Sequence, residues 1–148
     1  MTERYFEDLK PGDRFKSQTY RVSKKQIIAF AREFDPQSFH FDEKVARQTM
    51  FQELIASGWQ TAAISMRLFV QTLNFAGGVI GLGVDELRWP AVVKPNDILQ
   101  VETEIVRLRK SRSKPRYGIV RICNVTTNQR GEVVQTMTTA TLVLRRRG

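Results

Sequence analysis

The thirteen residues Phe30–Asp42, F-A-R-E-F-D-P-Q-S-F-H-F-D, contain the one histidine of the chain, His40, with Asp35 five positions before it. An imidazole titrates near neutrality and a neighbouring carboxylate can share its proton, so the two are a candidate acid–base pair. The same groups could instead form a buried network that caps a helix end, and spacing alone leaves both readings open. A second candidate is Ser57-Gly58, at the mouth of the longest helical pattern. Free N–H groups converge at a helix N-terminus and glycine permits close approach to them, although serine is also a plain N-cap there. One histidine and one cysteine, Cys123, do not supply a metal-ligand set.

Local signals say how these groups are positioned. Pro11-Gly12 punctuates a turn before a strand from about Arg14 to Val22. Ser23 with Gln26 three residues later makes a capping box, opening a helix with Ile27, Ile28, Phe30, Ala31 and Phe34 on one face. That helix should stop at Asp35, because Pro36 disfavours helical geometry in the residue before it. At such a C-terminal rim the helix dipole is expected to raise a carboxylate's proton affinity. Asp42 then caps a second helix through about Met50. Ser57 or Gly58 opens a helix to about Asn74, with an apolar stripe of Trp59, Ala62, Ala63, Met66, Val70 and Leu73. Ile64, Leu68 and Phe69 widen the stripe, leaving Gln60, Arg67, Gln71 and Asn74 as a narrow polar face.

The second half reads as strands: Val79–Val93, Ile98–Leu108, Tyr117–Thr127 and Val133–Leu144. Lys94–Asp97 turns the chain, Asn128–Gly131 is a hairpin loop, and residues 109–116, R-K-S-R-S-K-P-R, are a basic linker. Helices and strands segregated in this order predict an α+β fold, a sheet packed on one central helix. The glycine spacing of G-G-V-I-G-L-G, residues 77–83, does not match a nucleotide loop.

A chain of 148 residues is long enough to bury a core, and one domain spanning 1–148 is expected. One cysteine excludes an internal disulfide and fits a reducing compartment. No apolar run approaches the ~18–20 residues of a membrane span, and the N-terminus lacks a signal-peptide pattern, so a soluble cytoplasmic protein without membrane partners is expected. The net charge of +9 is concentrated: residues 105–148 carry eleven Lys/Arg against one Asp/Glu. Such asymmetry points to an anionic partner or a solvated face. The basic run has no interleaved aromatics, so nucleic acid is not supported.

Asp35-Pro36-Gln37-Ser38-Phe39-His40-Phe41-Asp42 resembles the signature of the MaoC-like dehydratases and (R)-specific enoyl-CoA hydratases. That signature is an aspartate, a Pro/Asn-containing turn, a histidine five residues on, a variable residue, then an acid or amide. Ile55-Ala56-Ser57-Gly58-Trp59 is similar to the family's small-residue turn before the central helix. Leu87–Val92 with Pro95-Asn96-Asp97 resembles its later strand-turn-strand. Gln37-Ser38 replaces the more usual Asn-Pro, and Ser57 stands where many hydratases have histidine. Both departures bear on substrate identity.

The resemblance implies a hot-dog fold, with an antiparallel sheet wrapped around the central helix, and reversible addition of water to a 2-enoyl-CoA thioester. Asp35 and His40 would hold the water and share the acid and base roles, the Gly58 N–H would meet the thioester oxyanion, and Ser57 would hydrogen-bond the water or His40. Gln37, Trp59 and Arg88 are expected to contact substrate, and Arg109, Lys110 and Arg112 to dock the coenzyme A phosphates. No cofactor or metal is implied, coenzyme A being part of the substrate. A homodimer or higher homo-oligomer is expected, because one sheet leaves an apolar face and a helix rim to cover. Three rivals exist: a hot-dog thioesterase, a Ser57–His40–Asp35 hydrolase, and a non-catalytic acyl-thioester-binding subunit. Such thioesterases commonly place a carboxylate on the central helix, and Gly58–Asn74 has none. The hydrolase would need a G-x-S-x-G elbow, which I-A-S-G-W lacks.

Overall fold

The β-branched runs of the second half pair into the sheet that their composition predicts. The structure, a computed structural model, describes residues 2–147. Its elements run β1 (Arg14–Arg21), α1 (Lys24–Phe34), α2 (Glu43–Ala46), α3 (Gly58–Leu73), β2 (Ile80–Arg88), β3 (Ile98–Lys110), β4 (Tyr117–Thr127) and β5 (Val133–Leu144), with single 3-10 turns at Phe6–Asp8 and Ser38–His40. The five strands are antiparallel in the order β1-β3-β4-β5-β2. Helix α3 lies across one face, mainly over β1 and β3, and is the central helix of the expected α+β architecture.

Two apolar clusters hold α3 to the sheet. Ile64 and Leu68 pack with Leu99, Val101 and Val134 towards its N-terminal half. Phe69 and Leu73 pack with Ile105, Val120, Ile122 and Val143 towards its C-terminal end. Among the buried polar groups two pairs are closed: Ser65 Oγ lies 2.7 Å from Thr126 Oγ1, and Thr103 Oγ1 donates to Asn124 Oδ1 at 2.6 Å.

Four sequence expectations need correction, the first being the strand expected over Val79–Val93, which ends at Arg88. The second helix stops at Ala46, because the Thr49 hydroxyl takes the Ala46 carbonyl and Gln52 enters the left-handed region at φ 59°. The linker begins later than its charge suggested, since Arg109 and Lys110 still pair with Ile119 and Gly118 as part of β3. The buried face of α3 is Gln60, Thr61, Ile64, Ser65, Leu68, Phe69 and Leu73. Trp59, Met66 and Val70 of the expected stripe are 59%, 42% and 40% exposed, whereas Gln60 is 5% exposed. Periodicity located an apolar surface but not which part of it the sheet of the same chain covers.

Strand β2 is one of the two edges, β1 being the other, and its Ile80, Leu82 and Val84 are all more than half exposed. At the other end, Phe6 lies against Gly118 so closely that a Cβ there would overlap the ring. Replacing Gly118 with alanine is therefore expected to cost about 1–3 kcal/mol, read as a lower urea midpoint with unchanged m-value. Adding Phe6→Ala to that variant should recover part of the loss, because the two residues share one contact.

Candidate active site

The spacing of Asp35 and His40 is set by two neighbouring helix ends. The Ser23–Gln26 capping box opens α1, and Asp35 closes it: its N–H still reaches the Ala31 carbonyl at 2.9 Å, but its φ of −146° leaves the helix. Pro36 cannot continue the helical ladder. The following 3-10 turn, with the His40 N–H on the Gln37 carbonyl at 2.9 Å, returns the chain so that His40 is buried at 5% exposure. Asp42 then accepts the N–H groups of Lys44 and Val45 and starts α2.

From the other side, the segment before α3 is pinned by the Ala56 N–H on the Val93 carbonyl, 2.8 Å. The loop carrying Val93 is itself fixed. Asp97, buried, accepts the Lys94 N–H and the Gln129 amide through its carboxylate, and its carbonyl takes the Val22 N–H. The Ile55 carbonyl is thereby set 2.8 Å from His40 Nδ1. A carbonyl only accepts, so Nδ1 carries a proton, and the tautomer this selects for a neutral imidazole has its lone pair on Nε2. Nε2 lies 3.4 Å from Asp35 Oδ2. Both atoms remain available to one small polar group between them.

The Asp35 carboxylate is held at both oxygens. Ser57 Oγ–H donates to Oδ2 at 2.7 Å and Gln37 Nε2–H to Oδ1 at 2.7 Å. These bonds favour the charged form, and Asp35 titrates below the ordinary aspartate range, the Ser57 hydroxyl being the largest cause. This corrects the expectation that the helix dipole raises its proton affinity. Burial does push the value up, but hydrogen bonds from Ser57 and Gln37 and the nearby imidazole outweigh it. Asp35 is therefore an anion at neutral pH.

Residues 7–129 match the MaoC like domain. The chain belongs to that family. It is 49% identical to the MaoC-like dehydratase from Rhodospirillum rubrum, whose crystal structure matches with a TM-score of 0.92 over 98% of this chain and 99% of that one. It is 26% identical to an (R)-hydratase of Pseudomonas aeruginosa, with a TM-score of 0.78 over 96% of this chain and 86% of that one. The uncharacterized protein YdeM of Bacillus subtilis is 36% identical over 120 residues, 80% of this chain and 84% of that protein. The architecture is the hot-dog fold, shared with the MaoC-like dehydratase and the (R)-hydratase.

In this MaoC-like domain Ser57 caps α3, its oxygen accepting the Trp59 N–H at 3.3 Å while its hydrogen goes to Asp35. The Gly58 N–H, first in the helix, has no hydrogen-bond acceptor among the described residues. Gly58 must be glycine, because a Cβ would lie 2.6 Å from the Trp89 indole. Trp59 stands edge-on to Trp89, 5.2 Å between centroids. Gln37 is spent on Asp35 Oδ1. Arg88 is exposed and pairs in the sheet with Thr136, next to Gln135, whose Oε1 accepts from Trp89 Nε1.

The basic segment is elsewhere. Gln135 pairs with Thr126, and Thr127 pairs with Gln100 of β3, so the candidate site lies at the Gln100 end of the sheet. Arg109 lies nine residues further along β3, roughly 30 Å at ordinary strand rise. Within one chain, Arg109, Lys110 and Arg112 are not brought to Asp35 and His40. Among the described residues no cluster of three His, Cys, Asp or Glu side chains could hold a metal, and no helix is long and apolar enough to cross a membrane.

Sequence reasoning missed the Ile55 carbonyl, Trp89 and the two glutamines Gln60 and Gln135. Backbone groups and ladder partners leave no residue-type signal. The sequence did place Gln60 on the polar face of α3, but as one of four such residues, with nothing to single it out.

Ser57→Ala is expected to slow turnover by about 10- to 100-fold, the worth of one hydrogen bond to a charged group. It should also lower stability by about 0.5–2 kcal/mol through the lost cap. Steady-state kinetics beside thermal melts separate the two effects.

Proposed function

We propose that the chain is a hydro-lyase that reversibly adds water to a 2-enoyl-CoA thioester. The observation that carries this reading is the pairing of an ionised Asp35 with a His40 whose Nδ1–H is engaged by Ile55 and whose Nε2 is free to accept a proton. A water held between Nε2 and Asp35 Oδ2 loses its proton to Nε2 as its oxygen bonds to the β-carbon. The pair of electrons released from the double bond moves to the thioester oxygen, where the Gly58 N–H at the helix terminus stabilises the charge. The imidazolium then returns the proton to the α-carbon, the electron pair forms the new C–H bond, and one water has been added. Asp35 stays ionised, orienting the water and stabilising the imidazolium.

The Ser57 hydrogen bond argues against the hydrolase alternative. Its hydroxyl donates to Asp35 and not to His40, so the base that would activate a serine nucleophile is not on it. We further propose a homodimer, with β2 and the exposed apolar flank of α3 (Trp59, Met66, Val70) covered by a second copy. Incubation with crotonyl-CoA tests the reaction: loss of enoyl absorbance with 3-hydroxybutyryl-CoA as product is expected. Release of free thiol in its place would establish thioester hydrolysis and overturn the reading.

A further inference from the structure

Two buried side-chain atoms have no hydrogen-bond partner among the described residues: Gln60 Oε1 and Gln135 Nε2. The residues are 5% and 0% exposed. Such orphaned polar groups are rare in folded proteins and each calls for a reason. The orientation of Gln135 is fixed chemically. Trp89 Nε1–H only donates, so the atom 3.0 Å from it is the carbonyl oxygen and the orphan is the amide NH₂. Nothing fixes Gln60, whose carboxamide can turn either end to a neighbour.

Both residues stand on the supports of the candidate active site. Gln60 is in the first turn of α3, its N–H on the Ser57 carbonyl at 3.0 Å. Gln135 is linked through the Trp89 indole to Gly58, which that indole covers. One turn further along α3, Ser65 bonds Thr126, the sheet partner of Gln135. Beside the apolar packing of Ile64 and Val134, helix and sheet thus also meet here through the Ser65–Thr126 hydroxyl pair. An aliphatic acyl chain entering beside Gly58 would leave the two amides unbonded, and a group that both accepts and donates would satisfy them.

Resting on the hydratase reading above, we infer that Gln60 and Gln135 form a subsite for the distal part of the acyl chain and select enoyl thioesters carrying a hydroxyl there. Gln135 Nε2–H donates to the hydroxyl oxygen, and the Gln60 carbonyl accepts its hydrogen.

The test compares matched pairs that differ by OH for CH₃: 4-hydroxybut-2-enoyl-CoA with pent-2-enoyl-CoA, and 5-hydroxypent-2-enoyl-CoA with hex-2-enoyl-CoA. Wild type should show a kcat/KM at least about ten-fold higher for the hydroxylated member of one pair. Gln135→Glu, which keeps the acceptor for Trp89 but removes the donor, and Gln60→Met should each collapse that ratio. Equal or better turnover of the alkyl members overturns the subsite while leaving the hydratase reading intact, and would mean the two amides are served by structural water alone. A ratio that survives both substitutions overturns it as well. Hydration of none of the four overturns the hydratase reading and the subsite with it.

Discussion

Replacing His40 with asparagine is expected to lower kcat for enoyl-CoA hydration by about 10²–10⁴-fold with KM nearly unchanged. The asparagine amide can still donate to the Ile55 carbonyl, which His40 Nδ1–H now engages at 2.8 Å. What it cannot supply is the basic nitrogen at the position of Nε2, 3.4 Å from Asp35. His40→Ala should lose as much activity but more stability, because it strands the Ile55 carbonyl beside a cavity; an unsatisfied buried acceptor costs about 1–3 kcal/mol. The two variants together separate catalysis from architecture. Progress curves at saturating crotonyl-CoA measure the first, and urea midpoints the second. A His40→Asn protein that keeps a tenth or more of wild-type kcat would remove the imidazole from the chemistry.

The parts of this site that could be read in the sequence are those fixed locally. The Ser23–Gln26 box, the stop at Asp35-Pro36, the Asp42 cap and the Ser57 cap each depend on residues within four positions, and the structure has all of them. The β4 and β5 boundaries were equally legible from β-branched runs closed by a hairpin loop. The early stop of α2 at Ala46 is a local error, but those that bear on the site are long-range. Asp35's charge was misjudged because its governing donor, Ser57, is 22 residues away in sequence and reaches it only in the folded chain. The face of α3 was misjudged because Trp59, Met66 and Val70 are apolar yet exposed in one chain. Apolar periodicity reports that a surface avoids water without saying what covers it. The charge run at Arg109–Arg112 carried no positional information, since β3 takes it away from Gly58.

Asp35→Asn is expected to lower kcat to a degree comparable with loss of His40, about 10²–10⁴-fold, while altering the fold little. Asparagine is nearly isosteric. Its carbonyl can accept the Ser57 hydroxyl in place of Oδ2, and the Gln37 amide can turn to accept from its NH₂, so both 2.7 Å contacts have replacements. The negative charge has none, and with it goes the group that orients the water and balances the imidazolium. Stability provides an independent check. Because the folded carboxyl titrates below its unfolded value, Asp35 stabilises the fold above the ordinary aspartate range, and that contribution is lost as pH falls through the lowered folded value. The difference in urea midpoint between wild type and Asp35→Asn should therefore be constant at neutral pH and shrink only at distinctly acid pH. If it shrank instead as pH rose from neutrality, Asp35 would have to be protonated in the native state. The carboxyl would then be available as a proton donor, and the assignment of the proton-carrying role to His40 alone would fail.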